Sequence, residues 1–307
     1  MNRNFKTTFL LFHKQMTVAI TFFFLLLSFS ADLSGQEIKW KRDEPLTQPE
    51  LQLFHSPHVV DLPTATTLKK WDLEFEISHR FVPTLGSGIE ELYGFDGPVN
   101  MRLALGLALS DRLLVTIGRS NVSDNMDLWA KYKFIQFRHE HWPLLAAVKV
   151  GIGWNSQPQY QVIADRSSTD SHNFQFFGQL IVNTLLNKKL GIGVVPSYLY
   201  NSDIRFSDRT KDTFRLGVYS QYYVSPLWSV YMEWNPYISG YNLLVEQEYN
   251  SFSYGIELET GGHFFKVFLT NNKFLNSSQS LAGADIAVKD NDWRIGFMIT
   301  RLLRFSR

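Results

Sequence analysis

Residues 71–81, WDLEFEISHRF, alternate strictly between two characters. Trp71, Leu73, Phe75, Ile77 and Phe81 fall on one parity, and Asp72, Glu74, Glu76, Ser78 and Arg80 on the other; only His79 breaks the apolar set. A β-strand sends successive side chains to opposite faces, so this stretch has one greasy face and one densely charged face. Such a strand has two homes. In a soluble sandwich the apolar face meets a second sheet. In a transmembrane barrel it meets lipid, and the charges line a closed lumen.

The pattern recurs to the end of the chain. Twelve spans read as strands: 71–81, 98–109, 112–119, 126–136, 143–154, 172–184, 188–200, 212–223, 227–236, 252–260, 263–270 and 291–303. Their connections sort by parity. Links after the even strands are short, as at Ser110-Asp111, Ser225-Pro226 and Gly261-Gly262; most links after the odd strands are longer, as at 82–97, 155–171 and 271–291. A sandwich has no reason to sort its loops this way, whereas outer-membrane barrels have tight periplasmic turns and longer external loops. Trp71, Trp142, Trp154, Trp228, Trp234 and Trp293 lie near strand ends, where an interfacial aromatic girdle is expected. The expected fold is all-β, a closed antiparallel up-and-down transmembrane barrel of about 12 strands, with both termini on the periplasmic side.

The N-terminus reads as a secretory signal. Arg3, Lys6 and Lys14 precede an uncharged apolar run over 16–27, and small residues follow. Cleavage is expected before Gln36, with Ser30/Ala31 as the second choice. The domain reading is a signal peptide over 1–35, a periplasmic N-terminal segment over 36–70 and an outer-membrane barrel over 71–307. Val59–Thr67 reads equally as a short strand or as a piece tucked into the lumen. The chain has no cysteine, so disulfides do not supply its stability. A net charge of +1 gives no reason to expect nucleic acid.

The parity that faces inward carries Asp72, Glu74, Glu76, Arg80, Arg102, Lys131, Lys133, Lys149, Arg215, Glu233, Glu257, Glu259, Lys266 and Arg294. These charges make either a polar conduit or a salt-bridge network that fills the barrel. Their near balance of sign fits the network better, since an ion-selective pore concentrates one sign at its constriction. His55, His58, His139 and His141 lack carboxylates at a recognised ligand spacing, so no metal and no cofactor are expected. His79 is the one weak candidate for catalysis. It sits on the lipid-facing parity beside Ser78 and Arg80, which point the other way, and no G-x-S-x-G elbow is present.

Several short motifs together resemble an uncharacterised bacterial β-barrel family, domain of unknown function 5777. They are Phe54-His55-Ser56, Val59-Val60-Asp61-Leu62-Pro63-Thr64, Leu68-Lys69-Lys70, Ile77-Ser78-His79-Arg80-Phe81, Leu92-Tyr93-Gly94-Phe95-Asp96-Gly97, Arg102, Gly118-Arg119-Ser120 and Tyr132-Lys133. The resemblance implies a barrel in the outer membrane of a Gram-negative bacterium and assigns no activity or catalytic residue. The expected partners are outer-membrane lipid, lipopolysaccharide and, during insertion, the barrel-assembly machinery; the transported solute is unknown. The leading functional expectation is a small channel or transport-associated barrel with a charged lumen. The alternatives are a lipid-modifying hydrolase and a non-conducting structural or surface-binding barrel.

Overall fold

The computed structural model of the chain describes residues 50–157, 166–202, 210–240 and 249–304. The signal-peptide reading and residues 36–49 lie outside these. Thirteen strands form one antiparallel sheet: β1 (Leu73–Phe81), β2 (Val99–Ser110), β3 (Leu113–Ser120), β4 (Asn125–Phe137), β5 (Leu144–Asn155), β6 (Phe174–Leu186), β7 (Leu190–Tyr200), β8 (Asp212–Tyr223), β9 (Trp228–Asn235), β10 (Tyr237–Gly240), β11 (Ser251–Glu259), β12 (His263–Thr270) and β13 (Arg294–Leu303). β1 pairs with β2 on one side and with β13 on the other, so the sheet closes into a barrel. β10 continues β9 past Pro236 and pairs only with β8, which makes it an extra piece beside twelve staves. The twelve spans read from the sequence are these staves.

Alternation sets the two faces. On β9, Trp228, Val230, Met232 and Trp234 are exposed on the outer wall, while Ser229, Tyr231, Glu233 and Asn235 are buried within it. A bulge modifies the rule on β4. The register with β5 shifts between Lys133 and Ile135, leaving Phe134 as the extra residue. Beyond the bulge the parity reverses, and Gln136 turns inward to bind the N–H of Leu51.

The barrel is not empty. Residues 50–68 lie inside the wall, so the boundary drawn at residue 70 does not separate a segment from the barrel in the described part. The 59–67 stretch is the lumen piece and not a strand, because every stave already has a neighbour on each side. It makes a tight turn instead: His58 bridges Pro63, and the N–H of Thr64 donates to the carbonyl of Pro57 at 2.9 Å. Leu53, Phe54, Val59, Val60, Leu62 and Ala65 pack against the inward residues Leu145, Ile181, Tyr219, Tyr231, Phe268 and Met298. Glycines on the wall leave the room. A side chain at Gly191 would collide with Phe54, and one at Gly217 with Leu62.

A second insert comes from the other mouth. Of the link expected as an external loop over 271–291, residues 271–287 fold inward and carry a short helix, α1 (Ser277–Ala282). Phe274, Asn276, Ser278 and Leu281 are buried. Leu281 and Ala282 pack with Trp129, Phe177 and Leu199 of the wall. The correction has a physical basis: this loop is made of small polar and apolar residues that suit a polar interior.

Closure through β1 is testable. Ile77→Pro removes a backbone donor from a strand paired on both sides. The fast-migrating folded band of the unheated protein in a detergent gel is expected to disappear.

Candidate functional site in the lumen

Of the fourteen inward charges read from the sequence, thirteen are buried; Glu259, near one mouth, is half-buried. All but Asp72 and Glu74 fall into three groups according to what they hold.

The first group pairs wall with wall. Arg102 donates to Glu76 at 2.8 Å and to both oxygens of Asp127 at 3.0 and 3.1 Å. Asp127 was not among the sequence candidates, although it shares the parity of Lys131 and Lys133. Gly118 makes the arrangement possible, because any side chain there would strike both Arg102 and Asp127. Lys266 pairs with Glu257 at 3.2 Å, and Glu257 also accepts from Gln221 at 2.9 Å.

The second group holds the N-terminal segment, largely by its backbone. Glu233 accepts the N–H groups of Val60, Asp61 and Leu62 at 3.0, 2.8 and 3.1 Å. Lys131 donates to the carbonyls of Pro57 and Thr64, both at 2.9 Å. Lys266 donates to the carbonyl of Val59 at 2.7 Å and to the Ser56 hydroxyl at 3.1 Å. Lys133 pairs with Glu50 at 3.1 Å. Partial burial alone would raise the Glu50 carboxyl, but Lys133 and Arg112 prevail and hold it below its ordinary value. His58 lies 3.4 Å from Glu76, and His55 lies 3.3 Å from Glu259.

The third group holds the inward loop. Arg215 donates to the carbonyls of Leu281 and Ala282 at 2.6 and 2.7 Å. Lys149 donates to the Ser277 hydroxyl at 2.7 Å and stacks over Trp129. Arg294 pairs with Asp285 at 2.8 Å. Arg80 belongs to both of the last two groups. It meets Asp61 of the segment at 2.6 Å and donates to the loop carbonyls of Asn272 and Phe274. Asp72 is buried at the start of β1, and Glu74 beside it leaves one carboxylate oxygen without a hydrogen bond.

Sequence reasoning missed Asp61 and Asp285, which lie off the strands. For Asp61 the signal was present: an acidic residue in an otherwise apolar Val59–Leu62 run needs a buried cation or donors. Two spaces lie inside the wall. A vestibule of about 510 Å³ opens at the short-turn mouth, floored by Leu53, Phe54 and His55 and rimmed by Lys188, Lys189 and Arg304. A cavity of about 30 Å³, room for roughly two waters, separates the segment from the loop beside Glu76, Arg102 and Lys149.

His79 does not assemble a catalytic site. Its ring faces outward and stacks on Phe297 at 4.4 Å, its Nδ1 has no hydrogen-bond partner, and Ser78 is buried on the opposite face. Among the described residues, no three His, Asp or Glu side chains converge as ligands for a metal ion.

The model of one protein family, described as the membrane bound beta barrel domain (DUF5777), matches residues 54–303. The chain belongs to this family. The match starts at Phe54, so the DUF5777 domain includes the segment inside the lumen as well as the staves. The chain is similar to several solved structures. An outer membrane channel from Pseudomonas putida F1 is 13% identical, with a TM-score of 0.46 over 78% of this chain and 98% of that one. The NanC porin is 8% identical, with a TM-score of 0.44 over 75% and 98%. The KdgM porin is 8% identical, with a TM-score of 0.43 over 76% and 99%. Likeness at this level carries no argument about solute or mechanism. No curated protein matches the chain.

The Arg102 cluster gives a stability prediction for this DUF5777 barrel. Arg102→Met leaves Glu76 and Asp127 buried without their cation, which costs about 3–5 kcal/mol. Arg119→Met breaks an exposed pair with Asp124 and costs at most about 1 kcal/mol. Denaturant unfolding of the refolded barrel in detergent measures both.

Proposed function

We propose that this protein is an outer-membrane channel held closed by its own chain, with the short turns and the N-terminal segment on the periplasmic side. The observation that carries the reading is how the segment is held. Residues 50–70 make no strand with the wall; they are gripped by side chains reaching from it, chiefly Glu233, Lys131 and Lys266. Such contacts can be exchanged for water one at a time, each for about 1.5–3 kcal/mol because one partner is charged. Pulling a stave out of a closed barrel would expose backbone to lipid. Once the segment and the inward loop leave, the wall that remains is continuous, charged and wettable. A twelve-stranded ring is wider than the eight-stranded barrels that side chains fill unaided.

Export through a cleaved signal over 1–35 and insertion by the barrel-assembly machinery complete this reading. So does embedding among outer-membrane lipid and lipopolysaccharide.

Three glycines provide the test. Gly191 and Gly217 face Phe54 and Leu62, and a side chain at Gly153 would strike Ser278 of the inward loop. The full-length chain carrying Gly153→Leu, Gly191→Leu and Gly217→Leu is expected to displace both inserts while keeping its staves. In planar bilayers the native protein should show little or no conductance and the variant sustained conductance. A variant that keeps heat-modifiable mobility yet stays silent at every voltage defeats the channel reading and favours a non-conducting barrel.

A further inference from the structure

The sign of the contacts between wall and segment is lopsided. Four wall cations direct their protons at oxygens of residues 50–64. Lys131 takes the carbonyls of Pro57 and Thr64, and Lys266 takes those of His58 and Val59 together with the Ser56 hydroxyl. Lys133 takes the Leu51 carbonyl and Glu50, and Arg80 takes the Asp61 carboxylate. In the other direction, the segment's backbone satisfies one wall carboxylate, Glu233, and two of its histidines approach others, His58 at 3.4 Å from Glu76 and His55 at 3.3 Å from Glu259. The near balance of charge around the whole lumen hides this, because Glu76 and Asp127 are already spent on Arg102 within the wall, and Glu257 is paired with Lys266.

We propose that the place the segment occupies is an oxyanion-binding cradle, and that the carbonyls of Pro57, His58, Val59 and Thr64 stand in for the oxygens of an anionic solute. The inference rests on the channel reading and names its substrate class: small solutes bearing carboxylate, phosphate or sulfate oxygens. The chemistry is direct. When the segment leaves, Lys131 loses the carbonyls of Pro57 and Thr64, Lys133 loses Glu50 and the Leu51 carbonyl, Arg80 loses Asp61 and keeps the loop carbonyls of Asn272 and Phe274, and Lys266 keeps only Glu257. A buried cation without a partner is costly, so an entering oxyanion recovers hydrogen bonds that chloride or water restores less well. Lysine and arginine donors suit such oxygens, and charge-assisted bonds are the strong ones. The vestibule points the same way. Lys188, Lys189 and Arg304 stand with Glu259 at the mouth through which the segment reaches the cradle, and a rim with three cations to one carboxylate concentrates anions ahead of a binding site.

Two measurements decide the matter. In the triple-leucine barrel, the reversal potential across a potassium chloride gradient should show a several-fold preference for chloride. Inorganic phosphate should block the current, and adding Lys131→Gln with Lys266→Gln should bring the preference toward unity and weaken the block. A conducting barrel that prefers potassium, or one whose phosphate block survives both lysine changes, overturns the cradle while leaving the channel reading intact. The second measurement needs no conductance and covers a triple variant that fails to fold. Ala65 is fully buried, and the native chain has no cysteine, so Ala65→Cys in the otherwise native full-length barrel reports release of the segment. Its labelling by a membrane-impermeant maleimide should run several-fold faster in phosphate than in chloride of equal ionic strength. Equal rates in the two salts overturn the proposal.

Discussion

Lipid offers no hydrogen bonds, and the rest of this structure follows from that. A sheet that crosses a bilayer has to close, since an open edge would leave backbone groups unsatisfied. Closure here is made by β1, which pairs with β2 and β13 over almost its whole length. Closing twelve staves then creates an interior that their own side chains do not fill. The chain fills it from both ends, with residues 50–68 from the short-turn mouth and 271–287 from the long-loop mouth. Each insert brings peptide groups into a dry place. Lys131, Lys133, Lys266, Glu233, Arg80 and Arg215 each satisfy an insert's backbone groups that would otherwise be stranded.

This explains why the inner wall is so heavily charged. Lys131, Lys266 and Glu233 do to the segment what a neighbouring strand does to a stave: they provide donors and acceptors in the right places. The small residues of the wall have a matching role. Gly118 admits the Arg102 cluster, and Gly191 and Gly217 admit Phe54 and Leu62. Charge and cavity are therefore fitted to a particular occupant, not to bulk water.

The staves were legible because lipid on one side and a polar interior on the other enforce a two-residue period. That period survives in Trp228–Asn235 as plainly as in residues 71–81. Loop lengths added the topology, and parity alone placed Glu233, Lys131 and Arg102 inside. What the period could not convey lies off the strands or breaks the pattern. The Phe134 bulge reverses the parity of β4 and turns Gln136 inward, and no local signal announced it. The two inserts use irregular backbone, whose partners are wall side chains distant in sequence. The run 271–287 resembles an ordinary external loop until its scarcity of charge is weighed: Lys273 and Asp285 are its only ionic residues.

Arg80 joins these strands of the description. Its guanidinium binds Asp61, which arrives from one mouth, and the carbonyls of Asn272 and Phe274, which arrive from the other. Asn272 also donates to Asp61 at 3.4 Å. The two inserts thus share a keystone, and neither can withdraw without loosening the seat of its counterpart. Thermodynamic reciprocity makes the coupling symmetric: whatever free energy an event at the loop face withdraws from the segment, an event at the segment withdraws from the loop. This one side chain therefore ties the segment that enters from one mouth to the loop that enters from the other.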